Sequence, residues 1–366
     1  MTQAIGRPGL APTHPGGVIQ PRTNRLSHLS WLLIVTMGVS TVASAEQARR
    51  VPAYDLPAPS TVSLELQGAM AKAPPSVPPA SMPTTNAGWE TFFNPDPAKT
   101  HTRISRLLAR FKLAVTEENI GGVHCYIIVP SGHGAKSKRL LMHLHGGAYT
   151  GGAGESGLLE AVLVAGSTGI ETVSVDYRMP PSNPFPSPID DATSVWKQIS
   201  QRHPGYRLGI FGTSSGGGMV LAVTQRVIAA RLRIPDAIMA GTPWSDLSET
   251  GDSYRTNRYA DPIVYEGELS VAAKQYANGI DLKDPRLSPI YGTFSSFPPT
   301  LLLAGTRDLF LSNTVRVDRK LRDAGRRSEL IVYEGQSHAA YLAGIEAPET
   351  VTALRDISAF FSRELK

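Results

Sequence analysis

The sequence predicts an α/β protein with a mostly parallel central sheet flanked by helices. Two observations carry this. Short apolar runs alternate with helical patterns from residue 140 to the C-terminus, the rhythm of crossover connections between parallel strands. The composition is also that of an ordinary globular chain, 41% hydrophobic and 18% charged over 366 residues, long enough for a full core. In such sheets ligands bind at the carboxyl ends of the strands.

The elements follow in order. Residues 113–116 and 124–129 read as a hairpin around Gly121-Gly122, and residues 140–144, 171–175, 208–211, 237–240, 300–303 and 330–333 as short strands. Helical patterns at 158–165, 190–201, 217–232, 314–324 and 348–361 separate most of them. Upstream, Ile104, Leu107, Leu108 and Phe111 recur at three- and four-residue spacing, which favours helix between residues 89 and 111. Residues 51–83 hold eight prolines and read as an irregular lead-in, interrupted by a short helix near 62–72. The polar, tyrosine-bearing stretch 244–288 breaks the rhythm and reads as an insertion; with the lead-in helices it is expected to cap the site, from about 60–110 and 245–285. The expected organisation is a leader (1–45), a lead-in (46–88) and one domain (89–366).

The leader is read from Arg22 and Arg25, an apolar run at 31–42, and Ala43-Ser44-Ala45. A basic region, an apolar stretch and an A-x-A site make a secretory signal peptide, so cleavage after Ala45 and a periplasmic or secreted location are expected. The run is short for a membrane span of roughly 20 residues, so no stable span is expected after processing. The leader contains three of the 36 basic residues and no acidic one. Removing it leaves 33 basic against 31 acidic side chains, a net +2 instead of +5. No basic run exceeds residues 136–139, which argues against a nucleic-acid partner. The single cysteine, Cys125, excludes an internal disulfide. Oligomeric state is left open.

The chemistry starts at "GIFGTSSGGGMV", residues 209–220. A serine becomes a nucleophile when a base takes its proton and donors receive the oxyanion. A strained strand-to-helix turn of pattern G-x-S-x-G presents such a serine. Ser214 is flanked by Gly212 and Gly216, whereas Ser215 has Thr213 on one side. Ser214 is therefore the candidate nucleophile and Ser215 a backbone donor. A phosphate loop fits poorly, because no Gly-Lys-Ser/Thr follows. Upstream, "LLMHLHGGAY" ends a strand in small residues whose N–H groups can converge on a cavity.

With these stretches stand "VSVDYRMPPSNPFPSPIDDA", "PWSDLSETGDSY", "DPRLSPIYG", "PPTLLLAGTRDLFLS" and "VYEGQSHA". From about residue 113 onward the chain resembles the hormone-sensitive-lipase-like branch of the α/β-hydrolases. The resemblance implies an α/β-hydrolase fold and a cofactor-free carboxylesterase, lipase or related lactone or amide hydrolase. It also implies that Gly146, Gly147, Ala148 and Ser215 occupy the oxyanion-hole positions. The chain departs from the family pattern in having Ala148 as third small residue, Ser215 after the nucleophile, and "PPSNPFP" where the family reads "PEHPFP"; each leaves the backbone donors in place.

The base and acid complete the set. His14 and His28 belong to the leader, His101, His133 and His203 suit the surface, and His124 opens a hairpin strand. His143 and His145 form an H-x-H without a third ligand cluster, so no metal is expected, and His145 is expected to brace its loop. His338, in a loop after the last strand, is the candidate base. Asp308, directly after the preceding strand, is the candidate acid; Asp246, Asp252 and Glu334 suit turn or ion-pair roles better. The order Ser, Asp, His is that of the α/β-hydrolases. Asp176-Tyr177-Arg178 and Asp190-Asp191 are expected to form a structural network. Tyr149, Trp244 and Tyr254 are open between pocket wall and core. A serine esterase acting on a small-molecule ester is expected, with a lactone or amide hydrolase and a catalytically silent binding protein as rivals.

Overall fold

The computed structural model describes residues 53, 55–73, 77–131 and 137–366. The expected leader, its cleavage site, and His14, His28 and His133 lie outside them. Among the described residues, eight strands form one sheet: β1 (Leu113–Ile120), β2 (Val123–Pro130), β3 (Arg139–Leu144), β4 (Glu171–Val175), β5 (Arg207–Thr213), β6 (Ala237–Gly241), β7 (Thr300–Gly305) and β8 (Ser328–Tyr333). Their order is β1-β2-β4-β3-β5-β6-β7-β8. The first two strands are antiparallel to their neighbours and the remaining six run parallel. The hairpin turns on Gly121 and Gly122, both at positive φ, where glycine bears no Cβ penalty.

Side-chain alternation along the strands divides the core in two. Leu140, Met142 and Leu144 of β3 face one apolar cluster, with Val195 of α5 (Ser187–Arg202), Val220 of α6 (Ser215–Ala229) and Val317 of α9 (Leu311–Asp323). Leu141 faces the other, with Leu107 of α3 (Pro97–Phe111), Ala161 of α4 (Leu158–Thr168) and Ile357 of α10 (Pro348–Glu364). Both faces of the parallel sheet are thus covered by helices.

Before the sheet come α1 (Leu64–Lys72) and α2 (Asn86–Phe93). The helical pattern expected across 89–111 is two helices, α2 and α3. Asn94 ends the first, and the Asp96 side chain caps the second by accepting from Lys99 N at 3.0 Å, with Pro97 in its first turn. Pro97 cannot donate an N–H to a continuing helix, so the interruption lies where the periodicity alone could not place it. The insertion between β6 and β7 carries α7 (Ser253–Thr256) and α8 (Ser270–Ala277). Trp89 Nε1 donates to Gln275 Oε1 at 2.8 Å, tying α2 to α8.

Candidate active site

Ser214 stands between β5 and α6 with φ 65° and ψ −127°. A non-glycine residue at positive φ is strained unless its surroundings fix it. Three backbone hydrogen bonds do so: Ser214 N donates to Gly241 O, and Ser214 O accepts from Gly218 N and Trp244 N, each at 2.9 Å. The flanking glycines are required by close approach. A Cβ on Gly212 or Gly216 would lie 2.3 or 2.1 Å from Leu144 O. Ser215 is fully buried as the first residue of α6, where a helix N–H has no intrahelical acceptor.

His338 Nε2 lies 2.9 Å from Ser214 Oγ. With Nε2 as acceptor the ring proton sits on Nδ1, which is 3.2 Å from Asp308 Oδ1 and 3.0 Å from Thr242 Oγ1. Asp308 is fully buried and its Oδ1 also accepts from Phe310 N at 2.8 Å. Burial alone lowers the basicity of His338, but the Asp308 hydrogen bond and the charges of Asp308, Asp261 and Glu268 outweigh it and hold the imidazole above its ordinary value. Four strand ends meet here: His145 follows β3, Ser214 β5, Asp308 β7 and His338 β8.

Gly146, Gly147, Ala148 and Ser214 border one cavity of about 300 Å³, with His338. Gly147 has φ 110°, and a Cβ there would meet Gly151 O at 2.3 Å; Ala148 and Tyr149 are also at positive φ. Gly147 O accepts from Thr150 N and Gly151 N, closing the turn. His145 braces it: the ring stacks on Tyr177 with centroids 4.0 Å apart, Nδ1 lies 2.8 Å from Gly146 O, and Tyr177 OH donates to His145 O at 2.6 Å. Burial pushes the His145 imidazole down to about 4, which keeps it neutral. His143 is committed elsewhere, between Ser174 Oγ and Glu160 Oε2 at 2.9 and 3.2 Å. Among the described residues no group of three His, Cys, Asp or Glu is placed to hold a metal ion.

The remaining candidates separate cleanly. Asp246 pairs with Arg316 at 2.7 Å and accepts from Tyr291 OH. Asp252 accepts through its backbone O at the start of α7, and Glu334 is exposed after β8. Arg178 binds Asp191, Asp190 pairs with Arg226, and Asp176 accepts from Gly154 N. His124 sits between Asp176 and Glu117, and His101 is exposed beside Glu155.

Tyr149, Trp244 and Tyr254 belong to the core. Tyr149 stacks on Tyr276 at 3.8 Å and Trp244 on Phe310 at 5.6 Å, while Tyr254 OH accepts from Asn313 Nδ2. The cavity wall is instead Phe93 of α2, Leu159, Leu342, and Ile263, Glu268 and Leu269 of the insertion. Sequence reasoning missed these residues, and also Thr242 and Asp261. Asp261 precedes Pro262 and reads locally as an ordinary turn residue; only its partners distinguish it.

A family profile described as the alpha/beta hydrolase fold matches residues 141–342. An acetyl-hydrolase of Streptomyces hygroscopicus is 28% identical over 188 residues, 51% of this chain and 63% of that protein's length. The hormone-sensitive lipase of Mus musculus is 27% identical over 154 residues, 41% of this chain and 20% of the lipase. The crystal structure of an esterase named E25 superposes with a TM-score of 0.81 at 35% identity, covering 87% of this chain and 99% of that one. The chain belongs to the α/β-hydrolase family.

Proposed function

We propose that this protein is a serine carboxylesterase that cleaves small to medium esters through an acyl-enzyme. Ser214 Oγ attacks the ester carbonyl as His338 Nε2 takes its proton, and Asp308 holds the imidazole in the Nδ1–H tautomer and stabilises the imidazolium. Backbone N–H groups of the Gly146-Gly147-Ala148 turn and of Ser215 receive the oxyanion. His338 then gives its proton to the leaving alcohol. A water, deprotonated by the same imidazole, releases the acid and restores Ser214.

The observation that carries this reading is the unbroken contact from Ser214 Oγ through His338 to the buried Asp308, 2.9 and 3.2 Å, with Ser214 and His338 lining the cavity. A volume of about 300 Å³ lined by Phe93, Leu159, Ile263, Leu269 and Leu342 suits a compact ester with an apolar group. The names of similar proteins, an acetyl-hydrolase and an esterase, support the same class. The two serines supply the test. Ser214→Ala is expected to abolish p-nitrophenyl ester hydrolysis and fluorophosphonate labelling with the fold intact by circular dichroism, while Ser215→Ala keeps both. Inactive Ser215→Ala beside active Ser214→Ala would reverse the assignment, and no labelling of the wild-type protein would favour a silent binding protein. By its leader pattern the chain is further proposed to be exported and cut after Ala45.

A further inference from the structure

We infer that Asp261 is the positioning residue of this site, its one carboxylate fastening the Asp308 loop, the His338 loop and the cavity wall to each other. The inference rests on the triad reading above. Asp261 Oδ2 accepts from Leu309 N at 2.7 Å and from His338 N at 2.9 Å, and Oδ1 accepts from Ile263 N at 3.1 Å. Leu309 is the residue after Asp308, and Ile263 lines the cavity. Three segments far apart in sequence, the insertion and the loops after β7 and β8, thus meet on one side chain that is 1% exposed.

Burying a carboxylate is costly unless charged hydrogen bonds compensate. At this position it also faces like charge: burial first, and then the charge of Asp308, push Asp261 up to about 7. A group held against those two penalties has a geometric use. Two acceptor oxygens can take three converging N–H groups, whereas an amide offers one acceptor and aims its NH2 at a donor. Asp308, Asp261 and Glu268 are among the charges that face His338, and Asp308 and His338 among those that face Asp261. Removing the Asp261 charge therefore makes His338 easier to deprotonate while loosening the loops that hold it.

The test is steady-state kinetics of p-nitrophenyl butyrate hydrolysis across pH, with wild type, Asp261→Asn, Asp261→Ala and the Ser214→Ala control. Misplacement of the Ser214–His338 pair by about 1 Å is expected to lower kcat by about 100-fold in Asp261→Ala, with KM within about twofold. In Asp261→Asn a smaller loss is expected, with the rising limb of kcat/KM against pH displaced to lower pH. Wild-type kcat together with an unmoved limb in folded Asp261→Asn would overturn the inference, as would loss of the folded state in both variants, which would make Asp261 a residue of the fold alone. Absence of Ser214-dependent turnover in the wild type would sink the esterase reading itself, and this one with it.

Discussion

At the scale of single residues, environment decides what each titratable group can do. The same ring type serves opposite ends at His338 and His145. His338 keeps three carboxylates around it and is held above its ordinary value. As the proposed base it works only when neutral, so kcat/KM is expected to rise with pH through a midpoint above the ordinary histidine value of about 6.5. A midpoint below that value would show that the carboxylates do not control the ring. His145, fully buried beside Tyr177, is depressed to about 4. Between about 6.5 and 4 the unfolded chain takes up a proton there that the folded chain refuses, so this residue makes folding less favourable as pH falls through that window. The effect is on the order of 3 kcal/mol between pH 7 and pH 4. Denaturant titrations of wild type and His145→Gln at both pH values should differ by that slope; parallel pH dependences would contradict it.

At the scale of elements, strand-to-helix turns present the residues of the proposed chemistry and short helices shape the space beside them. The turn at Ser214 was legible because close approach to Leu144 O forces glycine at both flanks, a constraint that leaves its mark in local sequence. Helix α2 left a weaker mark, and its function is entirely in its contacts. Trp89 is fully buried, stacks on Phe93 at 5.9 Å and bonds Gln275 of α8, so it fixes Phe93 at the cavity wall. Trp89→Ala is expected to cost about 3–5 kcal/mol of stability. It should also raise KM for short esters more than it lowers kcat, because Phe93 lines the cavity without touching the triad. Unfolding curves and steady-state kinetics check both; an unchanged KM would detach α2 from substrate binding.

At the scale of the whole molecule, the parallel sheet gathers residues spread from Gly146 to His338 along one row of strand ends. The 36 basic and 31 acidic side chains overstate the basicity of the proposed mature chain, which carries +2. N-terminal sequencing of protein recovered after export is expected to begin at Glu46, and a retained leader would refute processing at Ala45. Among the described residues no helix is long and apolar enough to cross a membrane.

The sequence by itself determined the order of strands and helices, the glycine-flanked serine, and the two loop residues proposed as its base and acid. Strand and helix periodicity and steric demands for glycine act over a few residues, so they are written locally. Tertiary structure alone decided that Tyr149, Trp244 and Tyr254 pack in the core and that Phe93, Ile263 and Leu269 wall the cavity. An aromatic side chain fits either setting, and only the fold chooses its neighbours. Asp261 shows the same limit: its place among carboxylates in the sequence is ordinary, and its meaning comes from three N–H groups that only folding brings together.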